Sequence, residues 1–165
     1  MNAVRRIKTG ELAPDFTLMD NRNNPIHLSK LRGQKVLLSW HPLAWTSVCA
    51  EQMKALENKL AEFKNLQTMP LGLSVDAVPT KNAWAKHLEI ANVSLLADFW
   101  PHGSVAKEYG LFRDKEGFSE RANVILDEDG RVIWVKVYGI HELPDLSEVI
   151  GFLSECQKTF PRGTS

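Results

Sequence analysis

The sequence is poor in cysteine, with 2 in 165 residues, and the two stand far apart at positions 49 and 156. Two cysteines cannot build the disulfide framework of a small secreted domain, and they offer neither a C-x-x-C pair nor a zinc-ligand spacing. A reducing compartment is therefore the expectation, with the cytoplasm as the default location. Net charge is also missing. The 20 basic side chains balance the 20 acidic ones at a formal charge of +0, which excludes a general pull toward nucleic acid or a membrane surface. No apolar run is long enough for a transmembrane helix, and Met1–Arg6 lacks the apolar stretch of a secretory signal. There is no internal repeat, no low-complexity segment and no ligand pattern for a metal, flavin or haem, so no cofactor is expected. The length suits one domain over residues 1–165 with a core of useful size. Residues 1–9 are polar and basic and are expected to be loose.

What is present is an alternation of buried-strand and helix patterns. Val36-Leu37-Leu38 reads as the centre of a strand over 35–40. Apolar residues at 53, 56, 60 and 63 predict a helix over 53–63. A second buried strand is read over 71–75, and a helix over 79–88. A short helix at 104–109 ends at Gly110. Strands at 122–127 and 131–138 are joined by the turn Glu128-Asp129-Gly130, and a last helix covers 145–158 after Pro144. Strand-helix-strand alternation with short links predicts an α/β fold with parallel neighbours.

Between the first strand and the first helix lies Ser39-Trp40-His41-Pro42-Leu43-Ala44-Trp45-Thr46-Ser47-Val48-Cys49-Ala50-Glu51-Gln52. Cys49 thus falls in a loop or a first helical turn, just past a strand end. Free backbone N–H groups and the positive end of the helix dipole there favour a negatively charged sulfur. Pro42, Thr46 and Cys49 form P-x-x-x-T-x-x-C, which resembles the active-site signature of the peroxiredoxins. Gln52 stands where that family carries Glu or Gln, and Trp45 where Phe is more usual. Gly10-Glu11-Leu12-Ala13-Pro14-Asp15-Phe16 resembles the family's opening segment. Asp98-Phe99-Trp100-Pro101-His102-Gly103 and Tyr109-Gly110-Leu111-Phe112 resemble the alkyl hydroperoxide reductase E-type branch. Arg121-Ala122-Asn123-Val124-Ile125-Leu126-Asp127 resembles the strand that bears the family's second active-site arginine. The likeness runs from about Gly10 to about Phe152.

The resemblance implies a thioredoxin-like fold, a central mixed β-sheet flanked by helices on both faces. It implies a thiol-dependent peroxidase acting on hydrogen peroxide and alkyl hydroperoxides. Cys49 would be the nucleophile and become a sulfenic acid. Arg121 would donate to sulfur and peroxide, Thr46 would bond the peroxide, and Pro42 would shield the sulfur. Gln52 would orient Arg121. An external thiol would recycle the enzyme: thioredoxin, a glutaredoxin-like protein or a low-molecular-weight thiol. A homodimer or higher homo-oligomer is also implied.

Each of these residues has a plainer reading. A lone cysteine near a helix start is usually a small buried residue, an isolated arginine a surface ion-pair partner, and Thr46 a cap. His41 either tunes the pocket or bonds a resolving thiol, or is an imidazole packed at the rim. Trp45 and Trp100 either line an apolar mouth for organic peroxides or serve as dimer contacts. His102 is read as a structural loop residue. Cys156 continues the stripe Leu146, Val149, Ile150, Leu153, which favours a buried structural cysteine over a resolving one. The reading is a one-cysteine enzyme. Its rivals are a two-cysteine enzyme resolved by Cys156 and a non-catalytic peroxide-sensing or holdase-like module. A thioredoxin-like dithiol oxidoreductase is disfavoured because position 46 is Thr.

Overall fold

The central strands of the main sheet carry continuous apolar runs, so successive side chains feed both faces of the sheet. The structure is a computed structural model and describes residues 5–159. Its strands are β1 (Thr17–Asp20), β2 (Pro25–His27), β3 (Lys35–Trp40), β4 (Thr68–Ser74), β5 (Ser94–Ala97), β6 (Phe112–Arg113), β7 (Phe118–Ser119), β8 (Arg121–Leu126) and β9 (Val132–Tyr138). Its helices are α1 (Ser47–Asn58), α2 (Leu60–Asn65), α3 (Val78–His87), α4 (Ser104–Glu108) and α5 (Leu146–Thr159). Seven strands form one sheet in the order β2-β1-β5-β4-β3-β8-β9, and β6-β7 make a separate small hairpin. β3, β4 and β5 are parallel, whereas β8, β9, β1 and β2 join antiparallel. This is the mixed α/β sheet that the resemblance implies.

The alternation divides the core. Leu37, Leu95 and Ile125 face α1, α2, α3 and α5, where Met53, Leu56, Phe63, Trp84, Leu88, Val149 and Leu153 are buried. Val36, Leu38, Trp40, Leu71, Leu73, Val124 and Leu126 face the other way, onto α4 and the segment before β1. Helices thus cover both faces, but unevenly. Gly72 of β4 lies on the α1 face, where a Cβ would stand 2.4 Å from the Met53 sulfur and 2.8 Å from Leu95. The absent side chain lets α1 sit close on the sheet, which fixes the depth of the residue one turn before Met53, Cys49.

Two sequence expectations are corrected, and one short hairpin is new. The helix expected over 53–63 starts six residues earlier and breaks at Lys59, whose φ and ψ are −101° and 9°. The stripe 53, 56, 60, 63 runs through that one-residue break and cannot reveal it. The hairpin β6-β7 has two residues per strand, too few for any alternation to register. Residues 5–9 are also tied down. The buried Ile7 donates its N–H to Tyr109 O at 3.0 Å, and Arg5 pairs with Glu11 at 2.8 Å. Burying Ile7 and completing its backbone pairing outweighs the polar neighbours. The expectation of looseness for residues 1–4 lies outside the described residues.

At the hairpin between β8 and β9 the sequence signal has a direct cause. Asp127 Oδ1 accepts from the N–H groups of Asp129 and Arg131, each at 2.9 Å, and Gly130 takes φ +85°. An aspartate that bonds its own turn and a glycine in the left-handed region are what a tight reversal selects.

Candidate active site

The parallel strands end together, and the residues that matter follow those ends. After β3, the chain runs through His41 and the buried Pro42 to Thr46, the extended residue just before α1. Ala44 N–H donates to Asp76 Oδ2 at 2.8 Å, and the same oxygen accepts from Ser74 Oγ at 2.6 Å. The end of β4 therefore pins the loop that follows β3. Trp45 turns the chain with φ +67°, an uncommon conformation for a bulky residue, and α1 begins two residues later.

Cys49 sits in the first turn of α1 and is 0% exposed. Arg121 opens β8, which pairs antiparallel with β3 so that Trp40 stands opposite Ala122. This register carries Arg121 to the same sheet end as Cys49, 72 residues away in sequence. Alternation sets its face: Arg121, Asn123 and Ile125 point to the α1 side, as do Leu37 and Ser39.

The guanidinium is 3% exposed and held on three sides. Nη1 donates to Cys49 Sγ at 3.3 Å and to Gln52 Oε1 at 2.7 Å. Nε and Nη2 both donate to Ile140 O, at 3.0 and 2.6 Å. Gln52 is fixed in turn, since its Nε2 donates to Ser39 Oγ at 2.8 Å and to Trp40 O at 3.1 Å. Cys49 and Gln52 are three apart and so share one helix face. A permanent cation, oriented by a planar fork of hydrogen bonds, thus faces a sulfur at the positive end of a helix.

Behind the loop lies a second cluster. His41 and Lys81 are both 0% exposed, with Lys81 Nζ 3.3 Å from His41 Nε2. The imidazole stacks on Trp84 with ring centres 5.3 Å apart. Burial, then the charges of Lys81 and Arg121, hold His41 well below the usual histidine range, so it is neutral. Burial also brings the Lys81 amine down to about 7. The sequence reading singles out Trp84 and Leu88 on this helix but not Lys81, which shares their face three and seven residues earlier.

The other expected residues are placed as follows. Thr46 is exposed and its Oγ donates to Leu43 O at 2.8 Å. Trp45 is 53% exposed and packs on His87, ring centres 5.1 Å apart. Trp100, after β5, is 79% exposed. The two tryptophans stand on the surface, and Cys49 is closed off from solvent. His102 bonds Gly117 O at 2.7 Å and packs edge-on to Phe112, a structural role that pins the small hairpin. Cys156 departs from the buried reading: it is half-buried, near the end of α5. Its neighbours include Lys35 and Glu128, and Gln157 donates to Asn65 O. Those residues mark the starts of β3 and β4, the sheet end opposite Cys49. β3 alone spans roughly 17 Å, whereas a disulfide needs Cα atoms within about 7 Å.

Comparison with known proteins supplies the family. The model of the AhpC/TSA family matches residues 9–135. Alkyl hydroperoxide reductase E of Mycobacterium bovis is 36% identical over 140 residues, covering 84% of this chain and 91% of its own. Peroxiredoxin-2 of Mus musculus is 31% identical over 163 residues, covering 93% and 81%. Among solved structures, the reduced 2-Cys peroxiredoxin of Plasmodium vivax superposes with a TM-score of 0.84 at 28% identity, over 94% of this chain and 84% of that one. Peroxidoxin BcpB of Mycobacterium tuberculosis superposes with a TM-score of 0.80 at 25% identity, over 91% and 98%.

Proposed function

Because the chain belongs to the AhpC/TSA family and is therefore a peroxiredoxin, a thiol-dependent peroxidase, we propose that Cys49 is its peroxidatic nucleophile and that an external thiol recycles it. The observation that carries this reading is the guanidinium of Arg121, 3.3 Å from Cys49 Sγ and locked by Gln52 and Ile140.

The reaction asks for an anionic sulfur and for donors aimed at the oxygen that departs. The sulfur of Cys49 attacks one peroxide oxygen. An S–O bond forms and the O–O bond breaks. The departing oxygen leaves with the electron pair and takes up a proton, giving water or an alcohol. Sulfur is oxidised to the sulfenic acid as the peroxide is reduced. One external thiol then condenses with the sulfenic acid, releasing water and leaving a mixed disulfide, and a second thiol frees Cys49.

Arg121 supports the sulfur through Nη1, and the second Nη2 hydrogen, which has no partner among the described residues, would meet the departing oxygen. Thr46 swings its hydroxyl from Leu43 O to the peroxide. Pro42 keeps water from the sulfur, and Gln52 fixes the fork of Arg121. Trp45 and Trp100 contact organic substituents or a second copy of the chain, and their exposure supports either use. The position of Cys156 at the far end of the sheet supports a one-cysteine cycle.

The test is intact mass after one equivalent of hydrogen peroxide, with a sulfenic-acid trap, on wild type, Cys49→Ser and Cys156→Ser. Adduct on wild type and Cys156→Ser, and none on Cys49→Ser, is expected. Adduct surviving in Cys49→Ser would remove Cys49 from the reaction, and a prompt Cys49–Cys156 disulfide in wild type would replace the one-cysteine cycle.

A further inference from the structure

A fully buried lysine without a carboxylate partner is costly, and folded proteins rarely keep one without use. Lys81 is such a group. Its Nζ has one hydrogen-bond partner, His41 Nε2 at 3.3 Å, and forms no salt bridge among the described residues. His41 Nδ1 is buried without a hydrogen bond of good geometry, although the Ser39 carbonyl lies on its side. An ammonium can only donate, so when Lys81 is charged Nε2 is the acceptor and the proton of the neutral imidazole sits on Nδ1.

We propose that Lys81 is a positioning residue of the peroxidase: its buried amine holds His41 behind the active-site loop, and its charge favours the anionic form of the Cys49 sulfur. The inference rests on Cys49 being the nucleophile. His41 heads the loop, one residue before Pro42, and its N–H and C=O are themselves pinned, to Leu73 O at 3.0 Å and by Ser119 Oγ at 3.2 Å. The ring is the remaining freedom, and Lys81 and Trp84 of α3 fix it.

Charge supplies the second half. His41, after β3, touches the Lys81 amine, and the charges that act on it come from the neighbouring elements: Asp76 after β4, Cys49 in α1 and Asp98 after β5. Asp76 is already engaged by Ala44 N–H and Ser74 Oγ, and Asp98 by the N–H groups of Val105 and Ala106. The charge of Arg121 also acts on His41. Cys49 is therefore touched by one permanent cation, Arg121, and lies within electrostatic reach of one conditional cation, Lys81. Burial places the amine at about 7, so it gains charge as pH falls through neutrality, when a thiol most needs help to ionise.

The sign is fixed by linkage. An ammonium within electrostatic range favours the sulfur anion, so loss of Lys81 must move the acid limb of the reaction to higher pH. The test compares wild type with Lys81→Met, which fills similar volume without charge. It measures the pH profile of Cys49 oxidation by hydrogen peroxide and, separately, of its alkylation by iodoacetamide. In Lys81→Met both profiles should shift upward, with about a tenfold slower reaction at pH 6 and little change at pH 9. Slowing by one factor at every pH, with the midpoint unmoved, would reduce Lys81 to packing and overturn the inference. Alkylation reads the sulfur without any peroxide, so a protein that alkylates as expected but resists peroxide would sink the peroxidase reading alone. A measurement on native Lys81 guards against a variant that fails to fold. In protein labelled at the lysine ε-carbon, the Lys81 resonance should titrate at higher pH in wild type than in Cys49→Ser, by reciprocity. Coincident midpoints would overturn the proposal.

Discussion

The two ends of the central sheet hold the chain's two cysteines in opposite settings. At the C-terminal ends of β3 and β4, Cys49 is 0% exposed and a buried guanidinium lies 3.3 Å from its sulfur. At the other end, Cys156 is half-buried, and the charges near it, Lys35 and Glu128, pair with each other at 3.3 Å near the surface. Burial pushes the Cys156 thiol up, away from the reactive form. An open hollow of about 330 Å³ also lies at this end, lined by Gln34, Lys64, Gln67 and Met69 among others. The comparison teaches that burial alone does not define a cysteine's setting: both cysteines lose solvent, and only Cys49 has a buried guanidinium at its sulfur. What separates them is a cation held in place by partners that cannot move away.

Removing that cation is the strongest way to break the contrast. Arg121→Ala leaves Gln52 Oε1 and Ile140 O without their donor and takes the positive charge from the sulfur. Peroxide oxidation of the Cys49 thiol should slow by about 10²–10³-fold, the range found when one positioned donor is lost from a reacting centre. Stopped-flow oxidation kinetics on protein with an unchanged circular dichroism spectrum would read it. A rate within twofold of wild type would mean that the helix start suffices and the two ends differ for another reason.

The buried charge at the active end has a cost that the far end lacks. The folded-state pKa of Lys81 is depressed from 10.5 to about 7, so folding disfavours its ammonium form. Between pH 10.5 and about 7 the unfolded chain binds a proton that the folded chain resists, and stability falls as pH drops across that window. Below about 7 the penalty is constant. Lys81→Met should therefore stabilise the protein at pH 7, by on the order of 2–4 kcal/mol, and the gain should fade toward pH 10.5. Chemical denaturation at pH 7 and pH 10 checks both halves. No gain at pH 7 would mean that the amine is better solvated or paired than its burial indicates.

Most of the fold was legible because alternation and helical spacing are strong where elements are long. The strand over 35–40 was read at its observed bounds, and the helix over 145–158 within a residue of them. Cys49 could be placed beyond a strand end from the apolar run and the helix that follow each other around it. Arg121 could not be placed by any local pattern. Its position depends on antiparallel pairing of β8 with β3 across 72 residues, and only the family resemblance pointed to it. Lys81 was invisible for a different reason. It shares a helix face with Trp84 and Leu88, but no local pattern marks a lysine as buried, and the acceptor that receives it, His41, is 40 residues away. The N-terminal segment misled because composition was read as a whole, while one residue, Ile7, decided the outcome.

The smallest expected effect sharpens the contrast from the other side. Cys156 lies where α5 ends, with Glu155 and Lys158 exposed around it and its own side chain only partly covered. Cys156→Ser exchanges a weak S–H donor for a hydroxyl that water can reach, so little desolvation is at stake. Stability should change by less than about 0.5 kcal/mol, as at other surface positions, and the rate of Cys49 oxidation should stay within twofold. The informative readout is the oxidised product rather than the rate. An unlinked Cys49 sulfenic acid in wild type and variant alike would leave Cys156 outside the redox cycle. An interchain disulfide found only in wild type would mean that a second copy brings its far end against this chain's active end. The separation of the two cysteines within one chain would then be a feature of assembly, with the distance across the sheet closed by a neighbour.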